Sequence, residues 1–215
     1  MVHNLSEHNS IFSHFIAEIR DVNIQKDAMR FRRNMERIGE ILGYELSKEL
    51  DYSKSEVTTP LGIAQTELLN EQPVIASILR AGLPLHQGLL NVFDKAENSF
   101  ISAYRKHHKN GEFEIHVEYM ASPDLTGKTL ILADPMLATG SSMALVYQSI
   151  LQMGIPKKIH IVSAIASAEA VDFIKSKLPQ KTEYWIGAID AELTAQSYIV
   201  PGLGDAGDLS FGPKS

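Results

Sequence analysis

The chain has 215 residues, of which 44% are hydrophobic and 21% are charged, and its formal net charge at pH 7 is −6. This composition predicts a folded protein of one α/β domain over residues 1–215 and disfavours a broad surface for nucleic acid or an anionic membrane. Because the chain has no cysteine, disulfides, thiolate metal sites and a cysteine nucleophile are excluded.

The chain begins with a polar segment, MVHNLSEHNSIFSHF, which lacks the apolar core of a secretory signal. No later apolar run is long enough to cross a bilayer. We therefore expect a cytoplasmic protein with no membrane partner and no nucleic-acid partner.

The first strong periodic pattern runs from about Gln25 to Leu50, where apolar residues recur every three or four positions. This spacing predicts an amphipathic helix within a helical N-terminal part of about residues 1–70, followed by a core of about residues 71–215. The apolar positions of the predicted helix are Phe31, Met35, Ile38, Leu42 and Leu46.

Beyond Pro73, short apolar runs alternate with helical patterns. Alternation with short connections predicts a mainly parallel sheet that is flanked by helices. The predicted strands are Val74–Leu79, Phe100–Tyr104, Thr129–Ala133, Ile159–Ala166 and Tyr184–Ile189, and the predicted helices are Leu85–Phe93, Ser142–Met153 and Ala168–Leu178.

One segment departs from this rhythm. Between Lys106 and Tyr119 the apolar residues alternate, with Phe113, Ile115, Val117 and Tyr119 expected on one side. Period-two alternation is typical of a half-exposed antiparallel strand. We expect a β flap over about residues 105–122.

The segment with the clearest chemistry is Asp134-Pro135-Met136-Leu137-Ala138-Thr139-Gly140-Ser141-Ser142. A buried strand delivers the aspartate to its carboxyl end, where ligands bind in open α/β sheets. A small hydroxyl-rich loop then opens a helix, whose first N–H groups suit a phosphate. The alternative is an ordinary N-cap made by Ser141 or Ser142, but the preceding strand and Asp134 favour a phosphate site. The expected role of Gly140 is to let the backbone come close to that phosphate.

This segment resembles the site for 5-phosphoribosyl-1-diphosphate (PRPP) in type I phosphoribosyltransferases, and Asp-Pro-Met-Leu-Ala-Thr-Gly is similar to the uracil phosphoribosyltransferase family. Other segments agree in the same order: Ile78-Leu79-Arg80-Ala81-Gly82, then Tyr104-Arg105, then the eleven residues YIVPGLGDAGD from Tyr198 to Asp208. The likeness extends from about Phe31 to Phe211 and implies the type I phosphoribosyltransferase fold with a β flap over the site.

The resemblance also implies roles for individual residues. Residues 138–142 would cradle the 5-phosphate, Asp134 would accept hydrogen bonds from the ribose hydroxyls, and Arg80 and Arg105 would face the diphosphate. The implied PRPP-binding set is Arg80, Arg105, Asp134, Pro135, Met136, Leu137, Ala138, Thr139, Gly140, Ser141, Ser142 and Asp205. The implied catalytic residues are Arg105, Asp134 and Asp205.

The C-terminal motif resembles the family's uracil loop, which binds the base largely through backbone groups. The implied uracil-binding residues are Ile199, Gly204, Asp205 and Ala206. The resemblance further implies Mg²⁺ held mainly through the PRPP diphosphate, with Asp205 as a further ligand. It also implies a homo-oligomer, either a dimer or a tetramer.

The function implied by the resemblance is transfer of phosphoribosyl from PRPP to uracil, which gives UMP and diphosphate in pyrimidine salvage. Three alternatives remain open. One is a phosphoribosyltransferase for another base, which the C-terminal motif disfavours. Another is a UMP-sensing regulatory homologue on the same fold, which the negative charge disfavours as an RNA binder. The third is an inactive structural homologue, which rests on departures from the family pattern such as Gly140-Ser141-Ser142 in place of Gly-Gly-Ser.

Overall fold

The computed structural model describes residues 1–107 and 113–213, and for residues 104–107 and 113–116 it describes the backbone alone. The α-helices are α1 (Phe12–Arg20), α2 (Ala28–Ser47), α3 (Leu83–Val92), α4 (Ser141–Ile150), α5 (Ala168–Lys177) and α6 (Ala206–Phe211). The strands are β1 (Val2–Asn4), β2 (Tyr52–Thr59), β3 (Gly62–Leu69), β4 (Val74–Leu79), β5 (Glu97–His107), β6 (Phe113–Ala121), β7 (Thr129–Ala133), β8 (Met136–Leu137), β9 (Lys158–Ser167), β10 (Glu183–Asp190), β11 (Glu192–Leu193) and β12 (Ile199–Val200).

The main sheet has eight strands in the order β1-β10-β9-β7-β4-β5-β6, with β8 paired to β9. Every pair in it is parallel except β5 with β6, so the predicted α/β class with a mainly parallel sheet is confirmed. The inner strands are apolar on both faces because helices cover both faces of the sheet. Their carboxyl ends meet at one edge, which is where the sequence predicts the site.

Helix α2 is the predicted amphipathic helix, and its side chains from Phe31 to Leu46 at the apolar positions are fully buried. It packs on α3 with direct backbone approach. A Cβ on Gly88 would lie 2.0 Å from the carbonyl oxygen of Glu36, so only glycine fits there. This contact fixes α3 and therefore the turn that precedes it, which carries Arg80.

The N-terminal part differs from the sequence prediction in one respect. Residues 52–69, included in the helical part of about residues 1–70, form the β2–β3 antiparallel hairpin instead. Its strands are exposed at nearly every position, so the alternating burial that marks a packed strand is missing. Leu61 at the turn is 100% exposed.

The predicted flap is present as the β5–β6 pair, but its side-chain pattern is partly wrong. The strand register shifts between Ser102 and Ala103, a β-bulge. Val117 packs against the core, whereas Tyr119 is 58% exposed, so these two side chains do not share one environment. The bulge breaks the period-two alternation between them. The Phe113 and Ile115 side chains and residues 108–112 lie outside the described part of the chain.

Candidate active site

The segment from Asp134 to Ser142, called here the phosphate loop, is attached to the end of β9 by backbone hydrogen bonds. The Ile165 N–H donates to the Pro135 carbonyl at 3.1 Å, and β8 pairs with the next residues of β9. Ser167 continues the series, because its hydroxyl donates to the Ala138 carbonyl at 2.6 Å. The Asp134 N–H also donates to the Val162 carbonyl at 3.1 Å, so the first half of the loop is fixed to β9 through its backbone.

The second half of the loop turns at Gly140, which has φ 75° and precedes the first residue of α4. A Cβ there would lie 2.6 Å from Ile174 of α5, so both the left-handed backbone and the packing require glycine. The expected role of Gly140, close approach of backbone to phosphate, stays a prediction. In this structure the glycine is needed for the turn and for contact with α5.

Ser141 and Ser142 begin α4 and are half-buried. The Ser141 N–H donates to the Thr139 hydroxyl at 3.3 Å, and the Thr139 hydroxyl donates to the Ser141 hydroxyl at 3.1 Å. No side chain caps the helix, since Gly140 occupies the N-cap. The Thr139 and Ser141 hydroxyls therefore bond within the loop, and neither Ser141 nor Ser142 is the N-cap that the alternative interpretation proposes.

Asp134 is one of the residues that line a recess formed by the phosphate loop. Its carboxylate accepts one long hydrogen bond, 3.4 Å from the Met136 N–H. Burial raises the pKa of Asp134 to about 7, because the charged form loses hydration and this single hydrogen bond compensates only partly. Such a carboxylate gains from a ligand that donates hydroxyl hydrogen bonds to it.

Arg80 follows β4 and turns toward the C-terminal helix. Its Nη2 donates to Asp208 at 3.0 Å and to the carbonyl of Gly212. Its Nε is buried and has no hydrogen-bond partner among the described residues. One donor of the guanidinium is thus left for another acceptor, which suits the predicted contact with a diphosphate.

Arg105, the second arginine predicted to face the diphosphate, lies near the end of β5 with its backbone paired to Ile115 of β6. Its side chain lies outside the described residues. The role of Arg105 stays a prediction.

The C-terminal segment of residues 199–212, called here the base loop, is ordered by groups from distant parts of the chain. Arg20 of α1 makes a bidentate pair with Asp190, at 2.8 Å for both bonds, and also donates to the Gly202 carbonyl at 3.1 Å. Asp190 in turn accepts from the Gly202 N–H at 3.0 Å. Arg32 of α2 donates to the Ser210 carbonyl at 2.6 Å.

The predicted uracil-binding residues divide by exposure. The side chains of Ile199 and Ala206 are buried in the core, at 4% and 3% exposure, so at these positions only backbone groups can meet a ligand. Gly204 is exposed with φ 94°, and nothing lies within 4 Å of the place of its missing Cβ. Asp205 is exposed, and one of its oxygens accepts from the Asp208 N–H at 2.9 Å as the N-cap of α6.

Asp205 offers one suitable oxygen ligand for Mg²⁺, because its carboxylate is exposed and only one of its oxygens is used in capping α6. Within the described residues, no group of three or more histidine, aspartate or glutamate side chains is placed to hold a metal ion. The protein groups fit a metal whose remaining ligands come from a substrate.

Sequence reasoning did not find Arg20, Arg32, Asp190 or Ser167. Arg20 is 170 positions from Asp190 and 182 from Gly202, so no local pattern connects them. The only signal at Ser167 is its place between a predicted strand and a predicted helix.

Two clefts larger than the recess lie elsewhere on the protein. One, of about 410 Å³, lies beside His3 and Trp185, and the other, of about 750 Å³, lies beside Lys158 and Pro179. Neither cleft contains a predicted site residue.

Comparisons with known proteins agree with this geometry. A sequence model described as uracil phosphoribosyltransferase matches residues 6–213. A uracil phosphoribosyltransferase of Porphyromonas gingivalis is 55% identical over 214 residues, which cover 100% of this chain and 99% of that protein. A uracil phosphoribosyltransferase of Pyrococcus furiosus is 38% identical over 200 residues, covering 92% of this chain and 84% of that protein.

Solved structures give the same fold. A protein of Aquifex aeolicus superposes with a TM-score of 0.86 at 32% identity and covers 99% of this chain and 98% of its own. A hypoxanthine phosphoribosyltransferase of Staphylococcus aureus superposes with a TM-score of 0.50 at 16% identity, over 75% of this chain and 76% of its own. The second likeness shows the fold alone, and with it the predicted type I phosphoribosyltransferase fold is confirmed. No helix among the described residues is long and apolar enough to span a membrane.

Proposed function

The chain belongs to the uracil phosphoribosyltransferase family, and from that premise we propose that it transfers the phosphoribosyl group of PRPP to uracil, giving UMP and diphosphate. The observation that carries the proposal is the phosphate loop at the carboxyl edge of the sheet, with the raised pKa of Asp134 beneath it. In this reaction the bond from the anomeric carbon to diphosphate breaks and a bond to uracil N1 forms. Positive charge develops on the ribose and negative charge on the leaving diphosphate.

The phosphate loop would hold the 5-phosphate through the N–H groups of residues 139–142 and their hydroxyls. Asp134 would accept hydrogen bonds from the ribose hydroxyls and so position the anomeric carbon. This use matches its environment, because donors from the ligand replace the hydration that burial removes.

Arg80 and Arg105 would stabilise the negative charge on the leaving diphosphate. Arg80 supports this role, because its buried Nε has no hydrogen-bond partner in the part of the chain that the structure describes. Phosphoribosyltransferases generally use Mg²⁺ with PRPP, and here Asp205 together with diphosphate oxygens would hold it. The ion, when bound, supplies further neutralisation of the diphosphate charge.

Uracil would be recognised by the backbone of the base loop at Ile199, Gly204, Asp205 and Ala206. Uracil presents acceptor, donor and acceptor at O2, N3–H and O4, and peptide groups can complement that order. The buried side chains of Ile199 and Ala206 support this model, because they leave only the backbone to contact the base.

A steady-state assay of PRPP and Mg²⁺ with uracil, 5-fluorouracil, cytosine, hypoxanthine and orotate tests the proposal. Diphosphate release is expected with uracil and 5-fluorouracil. Cytosine reverses the pattern at N3 and C4, and two unpaired buried groups at about 1–3 kcal/mol each should lower kcat/KM by roughly a hundredfold or more. Release with hypoxanthine or orotate and none with uracil would overturn the proposal. UMP binding without any turnover would instead support the regulatory alternative.

We also propose that the chain forms a homo-oligomer, a dimer or tetramer, through the β2–β3 hairpin. An isolated two-stranded hairpin is marginally stable in water, yet this one exposes Ile63 at 67% and Leu68 at 50% as well as Leu61. A second copy of the chain would cover these side chains. Light scattering should give a smaller assembly for Leu61→Asp/Ile63→Asp than for the wild type, and an unchanged mass would exclude the hairpin.

A further inference from the structure

Ser167 stands at the junction of β9 and α5, and its hydroxyl is engaged on both sides. It accepts a hydrogen bond from the Ala170 N–H at 2.9 Å, which caps α5, and donates one to the Ala138 carbonyl at 2.6 Å. The side chain is 0% exposed. A hydroxyl has one hydrogen to give, so the donated bond fixes its orientation. Capping accounts for the first bond and leaves the second to be explained.

The second bond determines the direction of one peptide plane in the phosphate loop. In a trans peptide the C=O of one residue and the N–H of the next point in opposite directions. The Ala138 carbonyl points to the start of α5, so the Thr139 N–H points away from it. The recess is lined by eight of residues 134–143, Thr139 among them, and by none of α5, which places it on the side away from α5.

The packing of α5 against the loop also indicates that the Thr139 N–H faces the recess. Helix α5 packs against Gly140 so closely that an added Cβ would lie 2.6 Å from Ile174, 3.1 Å from Phe173 and 3.2 Å from the Ala170 carbonyl oxygen. Within the described residues, no backbone carbonyl accepts the Thr139 N–H. This donor is thus held toward the recess without a partner of its own.

We propose that Ser167 is a positioning residue for PRPP: by holding the Ala138 carbonyl it aims the Thr139 N–H at the 5-phosphate. The inference rests on the proposed function, which makes the recess the 5-phosphate site. Ser167 itself touches no substrate and acts through the Ala138–Thr139 peptide.

Two substitutions separate this role from helix capping. Glycine caps a helix nearly as well as serine, whereas alanine is a poor cap. Both Ser167→Gly and Ser167→Ala remove the donor to Ala138. Positioning predicts equal effects of the two on phosphate binding, and capping predicts an effect for alanine alone. Ser167→Thr keeps donor and acceptor and should restore wild-type behaviour.

Inhibition constants supply the readout, with ribose 5-phosphate as probe of the 5-phosphate site and inorganic pyrophosphate as probe of the diphosphate site. For both Ser167→Gly and Ser167→Ala we expect the constant for ribose 5-phosphate and the KM for PRPP to rise about tenfold, the loss of one aimed donor worth about 1.4 kcal/mol. The constant for pyrophosphate, kcat and the KM for uracil should change less than about twofold. The control is Ser163→Ala, since Ser163 is also buried in β9 but donates to the Ile165 carbonyl.

Unchanged ribose 5-phosphate inhibition in Ser167→Gly, or equal weakening of ribose 5-phosphate and pyrophosphate, would overturn the inference. Calorimetric titration of ribose 5-phosphate into the wild type and Ser167→Gly separates it from the proposed function. Binding that weakens in the variant, in a protein without uracil turnover, would keep the inference and reject the reaction. A wild type that binds no ribose 5-phosphate would reject both.

Discussion

The phosphate loop and the base loop occupy the same edge of the molecule but are held by different means. The phosphate loop is bonded to the neighbouring strand β9 and to Ser167, a residue about 30 positions away. The base loop is held by Arg20, Arg32 and Arg80, whose guanidinium groups donate to its carbonyls or to the aspartates beside it.

This difference has a physical consequence for each loop. The Pro135 and Ala138 carbonyls accept hydrogen bonds from Ile165 and Ser167, whereas the Thr139 N–H has no hydrogen-bond partner among the described residues and is available for an anion. The base loop depends on a buried ion pair between Arg20 and Asp190, whose side chain is 8% exposed. Removal of either residue would leave the charge of the other without a partner. Substitutions in the phosphate loop should therefore lower catalysis with little loss of stability, and substitutions around the base loop should lower stability as well.

The largest effect is expected for Asp134→Asn, a substitution that tests the phosphate loop. We expect turnover to fall tenfold to a thousandfold, roughly the range for removing a positioned transition-state contact. The fold should persist, because the side chain lies at a strand end. Steady-state kinetics with PRPP and uracil measure the loss, and Asp172→Asn on the exposed face of α5 is the matched control. Wild-type turnover in Asp134→Asn would remove this residue from the site.

The same variant should become more stable relative to the wild type as pH rises. An unfolded aspartate titrates near about pH 4, whereas the folded pKa of Asp134 is raised to about 7. Between these values the folded state binds the proton more tightly, so wild-type stability falls as pH rises through the window. Asparagine does not titrate, so its advantage should grow by about 3–4 kcal/mol between pH 4 and pH 8. Urea unfolding at the two pH values measures it.

Activity should follow the opposite course with pH. The carboxylate form of Asp134 is the acceptor for ribose hydroxyls, so wild-type kcat/KM for PRPP should rise as pH rises through about 7. The residual activity of Asp134→Asn should lack this rise. A variant with the wild-type pH profile would assign the profile to another group.

The next largest effect is expected for Asp190→Ala, a substitution that tests the base loop. Removal of the carboxylate leaves Arg20 largely buried without its partner and leaves the Gly202 N–H without its acceptor. We expect a loss of about 3 kcal/mol in the free energy of unfolding and a higher KM for uracil. Arg30→Ala, which breaks the more exposed pair with Glu18, should cost under about 1 kcal/mol. Equal losses in the two variants would contradict the proposed dependence of the base loop on buried charge.

The same contrast explains what the sequence could predict. Strands β4 and β7 have the predicted bounds because both are continuous apolar runs buried on both faces. The phosphate loop was predictable as well, since strand, aspartate, hydroxyl-rich loop and helix follow one another directly. Its roles for PRPP and uracil came from resemblance.

The remainder depends on contacts between distant residues. No periodicity connects Arg20 with Gly202, and the bulge at Ser102 is a property of strand pairing that the alternation of residues 113–119 does not reveal. The β2–β3 hairpin was missed because its side chains pack on little of their own chain. Gly140 was expected to let the backbone approach a phosphate, which stays a prediction, whereas its contact with α5 could be seen only in the structure.

The smallest expected effect concerns Ser141, which separates backbone from side-chain binding in the phosphate loop. Ser141 is the first residue of α4, so its backbone is helical and its Cβ follows the ordinary path of a helix start. Ser141→Gly keeps the N–H that would bind the 5-phosphate and removes only the hydroxyl that accepts from Thr139 at 3.1 Å. We therefore expect the KM for PRPP to change less than about threefold, with a stability loss of about 0.5 kcal/mol from glycine in the helix.

Kinetics at saturating uracil, with Ser142→Ala as the neighbouring control, measure this effect. If the hydroxyl of Ser141 binds phosphate directly, its removal should raise the KM for PRPP about tenfold, because a bond to a charged group contributes about 1.5–3 kcal/mol. If instead its Cβ crowds the phosphate, the KM should fall by a similar factor. An unchanged KM means that the N–H groups at the start of α4 provide the binding and that a serine fits this loop because Gly140 has already made the turn.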